Sequence, residues 1–246
     1  MVPKNAVTTQ NHPMQTVLQG ISSMATRLLL AELAAAFKKQ SGCIVLFESV
    51  GGVDAVKRIQ SGEVFDLAVL ASDAIDKLMA TGNIRLGSKL DLVLSGVAVA
   101  VRTGAALPDI SSEDAVRLAV RAARSISYSS GPSGVALAKL FERWGIADEV
   151  QSRMVQAPPG VPVATLLASG QVELGFQQLS ELMHLEGVAV VGPLPPAIQI
   201  TTTFSAGVPT RASADSFRAE QVRALLEFMT SAQTAEAKRR LGMEPV

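Results

Sequence analysis

The chain is poor in the residues that metal centres, disulfides and stacking surfaces need. Its 246 residues hold one Cys, two His, one Tyr and one Trp, and aromatics make up only 4%. One Cys (Cys43) excludes an internal disulfide, and two His (His12 and His184) with one Cys give too few ligands for a His/Cys metal centre. No metal and no cofactor are therefore expected. An excess of charge of one sign is missing too: Lys+Arg and Asp+Glu are both 22, for a net charge of +0. A nucleic-acid binder carries a basic face, so no nucleic-acid partner is expected. No apolar run reaches the ~18 residues of a membrane span, which argues against direct membrane insertion. Residues 1–13 are polar and lack the apolar stretch of a signal peptide. They read as a disordered tail, with Met14 as an alternative start. Two compartments stay open: the periplasm if a signal has been removed, the cytoplasm otherwise.

What is present is a well-packed globular chain, 48% hydrophobic and 18% charged. Short apolar runs alternate with helical patterns. Strands are expected near 16–19, 44–47, 65–70, 125–128, 153–156, 173–176 and 188–191, with helices near 24–40, 53–60, 72–80, 114–123, 135–144 and 163–169. The first helix carries Leu28, Leu29, Leu33, Ala36 and Phe37 at helical spacing, and Ser72 is placed to cap the third. Two longer β-rich runs, 92–102 and 198–208, are long enough to pass between two lobes. Two helices, 213–230 and 234–241, close the chain. The fold class is α/β in two lobes, each a mixed or parallel sheet flanked by helices. Lobe 1 is expected at 14–95 plus 206–246 and lobe 2 at 96–205, hinged near 94–97 and 204–207.

Three Ser/Gly segments stand where strands are expected to turn into helices: Gly20-Ile-Ser-Ser23, Ser49-Val-Gly-Gly52 and Ser129-Ser-Gly-Pro-Ser-Gly134. A helix start offers unpaired N–H groups and the positive end of the dipole, and small residues let an anion come close. Set on two lobes, the three would face one cleft. Each also has a plain structural reading, as a serine cap, a tight glycine turn, or a proline (Pro132) in a first helical turn.

These segments in their order, with Phe37-Lys-Lys-Gln-Ser-Gly42, Ser61-Gly-Glu-Val-Phe-Asp66, Gly160-Val-Pro162 and Ser169-Gly-Gln-Val-Glu-Leu-Gly175, resemble the periplasmic molybdate-binding branch of the type II solute-binding proteins. The resemblance covers about 15–243. It implies a two-lobed type II periplasmic-binding-protein fold that acts as a monomer. It implies a small anion held by hydroxyls and backbone N–H groups, and an ABC transporter permease as a partner. Carried over by motif, the ligand positions are Ser22, Ser23, Ser49, Gly51, Gly52, Ser129, Ser130, Ser133 and Val161. Where the molybdate binders have a Tyr, this chain has Phe176, Gln177 and Gln178. Gln177 and Arg27 suit an oxygen-rich organic acid, a di- or tricarboxylate, better than molybdate. The same neighbourhood includes an aconitate isomerase-like branch, which moves a proton on an unsaturated tricarboxylate. Candidates for that chemistry near the junctions are Glu48, Asp54 and Tyr128, although each is also ordinary as a solvated, capping or packing residue. A cytoplasmic ligand sensor is a third alternative.

Overall fold

A computed structural model describes residues 16–158, 160–183 and 185–246. His184 and the expected tail lie outside the described residues. The first half runs β1 (Val17–Ser23), a 3-10 turn (Met24–Thr26), α1 (Arg27–Ser41), β2 (Ile44–Val50), α2 (Gly52–Gln60), β3 (Leu67–Ala71) and α3 (Ser72–Ala80). The long strand β4 (Leu90–Arg102) follows, then α4 (Glu113–Ala122), β5 (Ile126–Tyr128), α5 (Pro132–Arg143), α6 (Ala147–Val150) and β6 (Met154–Gln156). Next come α7 (Val163–Ala168), β7 (Leu174–Gln178), α8 (Leu179–Leu182), β8 (Val188–Pro193), β9 (Thr201–Gly207), α9 (Ser216–Thr230), α10 (Ala235–Arg240) and β10 (Met243–Pro245).

The strands form one continuous order, β2-β1-β3-β9-β4-β7-β5-β6, with β8 and β10 also on β4. β4 joins the two halves. Its first part, Leu90 to Gly96, pairs with β9, and its second part, Val97 to Arg102, pairs with β7 and β8. Each half carries the same parallel trio: β1 lies between β2 and β3, and β5 between β6 and β7. In such a trio the connections leave the central strand to opposite sides, which opens a crevice at the strands' carboxyl ends.

Helices cover both faces of each half. α1 and α9 pack on one face of the first sheet through Leu29, Leu33, Phe37, Leu225 and Met229, and α2 and α3 cover the other through Ala55, Ile59, Ile75 and Leu78. In the second half Val116, Leu137 and Phe141 line one face, and Val163, Leu167 and Leu182 pack on Ala98 and Ala100 on the other. Strands buried on both faces read as continuous apolar runs, and all five residues of β3 are buried.

Several details differ from the sequence reading. Leu28 is exposed, and Leu30 and Ala34 take its place in the core, because α1 starts at Arg27 after a 3-10 turn that rotates the helical face. Ser72 is the first helical residue and Ala71 the N-cap, so no side chain caps α3. Phe204–Gly207 lies inside the first sheet, paired with β3 and β4. The chain passes back one step earlier, where the N–H of Val97 donates to the Ile200 carbonyl and to Gln199 Oε1, both at 3.0 Å. A Cβ on Gly96 would sit 3.1 Å from the Gln199 amide, so glycine lets the two passing segments touch.

Candidate functional site

The carboxyl ends of the six parallel strands open onto one cavity of about 570 Å³. Ser23 comes from the end of β1, Gly51 from just beyond β2, Ala71 from β3, Ser129 from just beyond β5, Ala157 from just beyond β6 and Gln178 from β7. This is where a doubly wound sheet places a ligand, and here two such edges face each other. The halves meet at its rim: a Cβ built on Gly51 would come within 3.7 Å of the Gly160 amide nitrogen.

Most of the expected positions line this cavity: Ser23, Gly51, Gly52, Ser129, Ser130, Ser133, Val161 and Gln177, with the candidate Asp54. Ser22, Ser49, Arg27, Glu48 and Tyr128 are not among its lining residues. Alternation along β1 puts Ser22 and Ser23 on opposite sides of the sheet. Ser22 is fully buried, its Oγ 2.8 Å from Ser49 Oγ, so these two hydroxyls satisfy each other. Glu48 is exposed and held by Arg58 at 2.5 and 2.8 Å. The Arg58 hydrogen bond holds its carboxyl below the usual range. Tyr128 packs against the core of the second half. Arg27 is exposed at the start of α1.

The third junction folds back tightly on its own helix. Pro132 opens α5 and Gly131 is its N-cap. Ser129 Oγ lies 3.1 Å from Ser133 Oγ. A Cβ on Gly134 would fall 1.8 Å from the Ser129 carbonyl oxygen, so only glycine lets this loop fold back on its own helix. α5 has no acidic residue in its first turn, whereas α2 and α3 carry Asp54 and Asp73 there. The α5 start, like those of α1 and α7, therefore has no carboxylate in its own first turn to offset the helix dipole.

Sequence reasoning missed Gln178, Glu181 and Lys57. Gln178 is buried, its Nε2 donating to Thr202 Oγ1 at 2.8 Å, and its Oε1 has no partner among the described residues. Because a hydroxyl can donate or accept, the Thr202 contact suits either orientation of the amide, which leaves one polar end for a ligand group. Gln177 is spoken for at both ends: its Oε1 accepts from the Val163 N–H and its Nε2 donates to Glu181 Oε1, each at 2.8 Å. Glu181 lies in the four-residue α8 that follows β7 directly. Burial pushes its carboxyl up to about 7, against the Gln177 hydrogen bond and the charge of Arg27, which pull the other way. The lining charges are Lys57 and Lys77 against Asp54, Asp73 and Glu181. Lys77 pairs with Asp73 at 3.5 Å, while Lys57 has no ion-pair partner among the described residues. A spacing of four residues from Gln177 to Glu181 was visible in the sequence, but a helix this short has no periodic pattern to announce it.

The model of the bacterial extracellular solute-binding proteins matches residues 18–244. The chain belongs to this family. An aconitate isomerase from Pseudomonas sp is 35% identical over 239 residues, covering 94% of this chain and 88% of that protein. Among solved structures, the periplasmic molybdate-binding protein of Azotobacter vinelandii aligns over 92% of this chain and 98% of its own, with 23% identity and a TM-score of 0.74. PEB3 with bound L-phospholactate aligns over 92% of this chain and 99% of its own, with 13% identity and a TM-score of 0.71. The fold is that of the type II periplasmic binding proteins, as the sequence motifs implied. Among the described residues, no helix is long and apolar enough to cross a membrane, and no group of three or more His, Cys, Asp or Glu could hold a metal ion.

Proposed function

We propose that the cavity binds a small organic polycarboxylate between two lobes, one ending near Gly96 and resuming near Thr201. The observation that carries this reading is the convergence of six parallel strand ends, three from each half, on one cavity lined by serine hydroxyls and side-chain amides. Hydroxyls of Ser23, Ser129 and Ser133, the free amide end of Gln178 and the unpaired Lys57 supply donors for carboxylate oxygens. About 570 Å³ lies in the usual range of roughly 300–1,000 Å³ for small-molecule sites. A tetrahedral oxyanion would leave much of that space to water, whereas a carbon skeleton packs against Met24, Val53 and Phe204. As a receptor, the protein would work outside the cytoplasmic membrane and hand its ligand to an ABC permease.

A second reading, turnover of the bound acid, is favoured by two specific observations. The relative that is 35% identical across nearly the whole chain is an aconitate isomerase, and carboxyls line the cavity beside its hydroxyls. The two readings share the ligand class and differ in whether a C–H bond breaks.

A thermal-shift screen of cis- and trans-aconitate, citrate, succinate and molybdate tests the ligand class. The melting temperature should rise with a tricarboxylate at about 100 times its Kd by roughly the equivalent of 2.7 kcal/mol. The rise should shrink in a Ser23→Ala, Ser129→Ala double variant. A shift with molybdate alone would sink the proposal.

A further inference from the structure

Glu181 differs from the other two carboxyls on the cavity wall in how it is held. Asp54 and Asp73 stand in the first turns of α2 and α3. Glu181 is gripped through one oxygen only. The Val163 N–H fixes Gln177 Oε1, so the amide must turn its N–H toward Glu181 Oε1 and can serve it only as a donor. Oε2 has no hydrogen-bond partner among the described residues. A carboxyl pinned at one oxygen and free at the other, on a cavity wall, is oriented for proton transfer to whatever lies opposite.

We propose that Glu181 carries the proton in an allylic shift on the bound polycarboxylate, with Gln177 as its positioning residue. This rests on the turnover reading above. Free Oε2 removes a proton from the methylene beside a carboxylate. The C–H electron pair becomes the new double bond, and the old double bond's pair spreads over the far carbon and its carboxylate. Glu181 then returns the proton to that far carbon. One C–H bond breaks and one forms, nothing is oxidised or reduced, and Glu181 ends as it began. Charge building on the ligand in between is met by the Ser129, Ser133 and Ser23 hydroxyls.

The surroundings keep this carboxyl near the point where both forms are populated at neutral pH. Burial raises it to about 7, and the Gln177 hydrogen bond and Arg27 limit the rise. The elements packed on α8 add little charge. Met24–Thr26, α7, β7 and β8 carry no titratable side chain. On β4, Asp91 is taken by the Ser205 hydroxyl at 2.5 Å and Arg102 lies at the far end of the strand, beside Gly170. Arg27 is the charged group that acts on Glu181. An acid that must both take and return a proton works best with its own pKa near the working pH.

The test follows trans-aconitate in deuterated water by proton NMR, with thermal shift alongside, for the unaltered protein, Glu181→Gln and Gln177→Met. The unaltered protein should exchange the methylene hydrogen and move the double bond. Glu181→Gln should keep its ligand-induced thermal shift and lose exchange by about 100-fold or more. Gln177→Met, which removes a hydrogen bond that lowers Glu181, should move the inflection of the pH–rate profile upward, a change that a structural role alone would not produce. If Glu181→Gln does not fold, the unaltered protein's own profile decides, and a profile with no inflection between about pH 6 and 8 overturns the proposal. Exchange retained in Glu181→Gln overturns it as well. Binding without exchange in the unaltered protein overturns the proposal and leaves the binding reading standing. No thermal shift with any carboxylate removes both.

Discussion

Single side chains carry the distinction between a cavity that holds an anion and one that acts on it. Glu181 has a folded-state pKa of about 7, above the ordinary 4.5, because burial disfavours its charge. The folded protein therefore binds more protons than the unfolded chain between those values. The stability this contributes is complete below about pH 4.5 and is lost as pH rises through about 7. Glu181→Gln should consequently raise stability at pH 8 by about 1–2 kcal/mol after allowance for partial exposure, and by almost nothing near pH 4. Melting curves of both proteins across that range check it, and an equal difference at both ends would contradict the assignment. Serine and glycine positions in the cavity were legible because their chemistry is local: Ser23, Gly51, Ser129 and Ser130 stand between an apolar run and a helix, and Gly52 and Ser133 in the helix's first turn. Ser22 and Ser49 were not separable from them. Which of two adjacent serines faces the cavity depends on strand phase, and a one-residue shift of a strand end reverses it. Glu48, a candidate base in the sequence that also reads as an ordinary solvated residue, lies exposed on the edge strand β2 and pairs with Arg58 ten residues later.

At the scale of elements, close approach of backbone to backbone decides the geometry of the α5 start. Gly134 packs against Ser129 with no room for a methyl group. Gly134→Ala should push the Ser129–Ser130 loop off its helix and cost about 1–3 kcal/mol or more of stability. It should also weaken ligand binding at least several-fold, beyond what the stability loss alone explains. Calorimetry on the variant at a temperature where it is fully folded separates the two effects. Long, periodic elements such as α1, α2 and α5 and the apolar strands were legible from their spacing, apart from ends displaced by a few residues. Short pieces with an apolar or helical pattern, such as β5, β6 and α10, were legible too, whereas α6, α8 and β10 were not. α8 has four residues and β10 three, and β10 exists because it pairs antiparallel with β4 at Val93 to Ser95. A contact 150 residues away in sequence leaves no local pattern for a strand to show.

Over the whole molecule, one topological unit appears twice, and the two copies meet edge to edge through β4. On the proposed reading, that arrangement lets a chain with no net charge hold an anion: hydroxyls, amides and helix starts gathered from distant strand ends would be the donors, and they need no surplus of Lys or Arg. The alternating strand and helix pattern pointed to an α/β sheet in each half, and the strand pairing adds the shared order within it. The return path was placed too late, near 204–207, since Ile198-Gln-Ile200 and Thr201-Thr-Thr203 are equally β-rich and only pairing tells passage from strand. Closure about Gly96 and Gln199–Ile200 would bring the Ser129 loop toward Gly51 and Gly52, and occupancy of the cavity should favour it. These opposed strand ends should hold a small polycarboxylate. Isothermal titration of the unaltered protein with trans-aconitate, and separately with molybdate, tests it most directly. The expected result is saturable binding of the tricarboxylate at one site per chain, weakened at least tenfold in the Ser23→Ala, Ser129→Ala variant. Saturable binding of molybdate with no heat from any di- or tricarboxylate would contradict it.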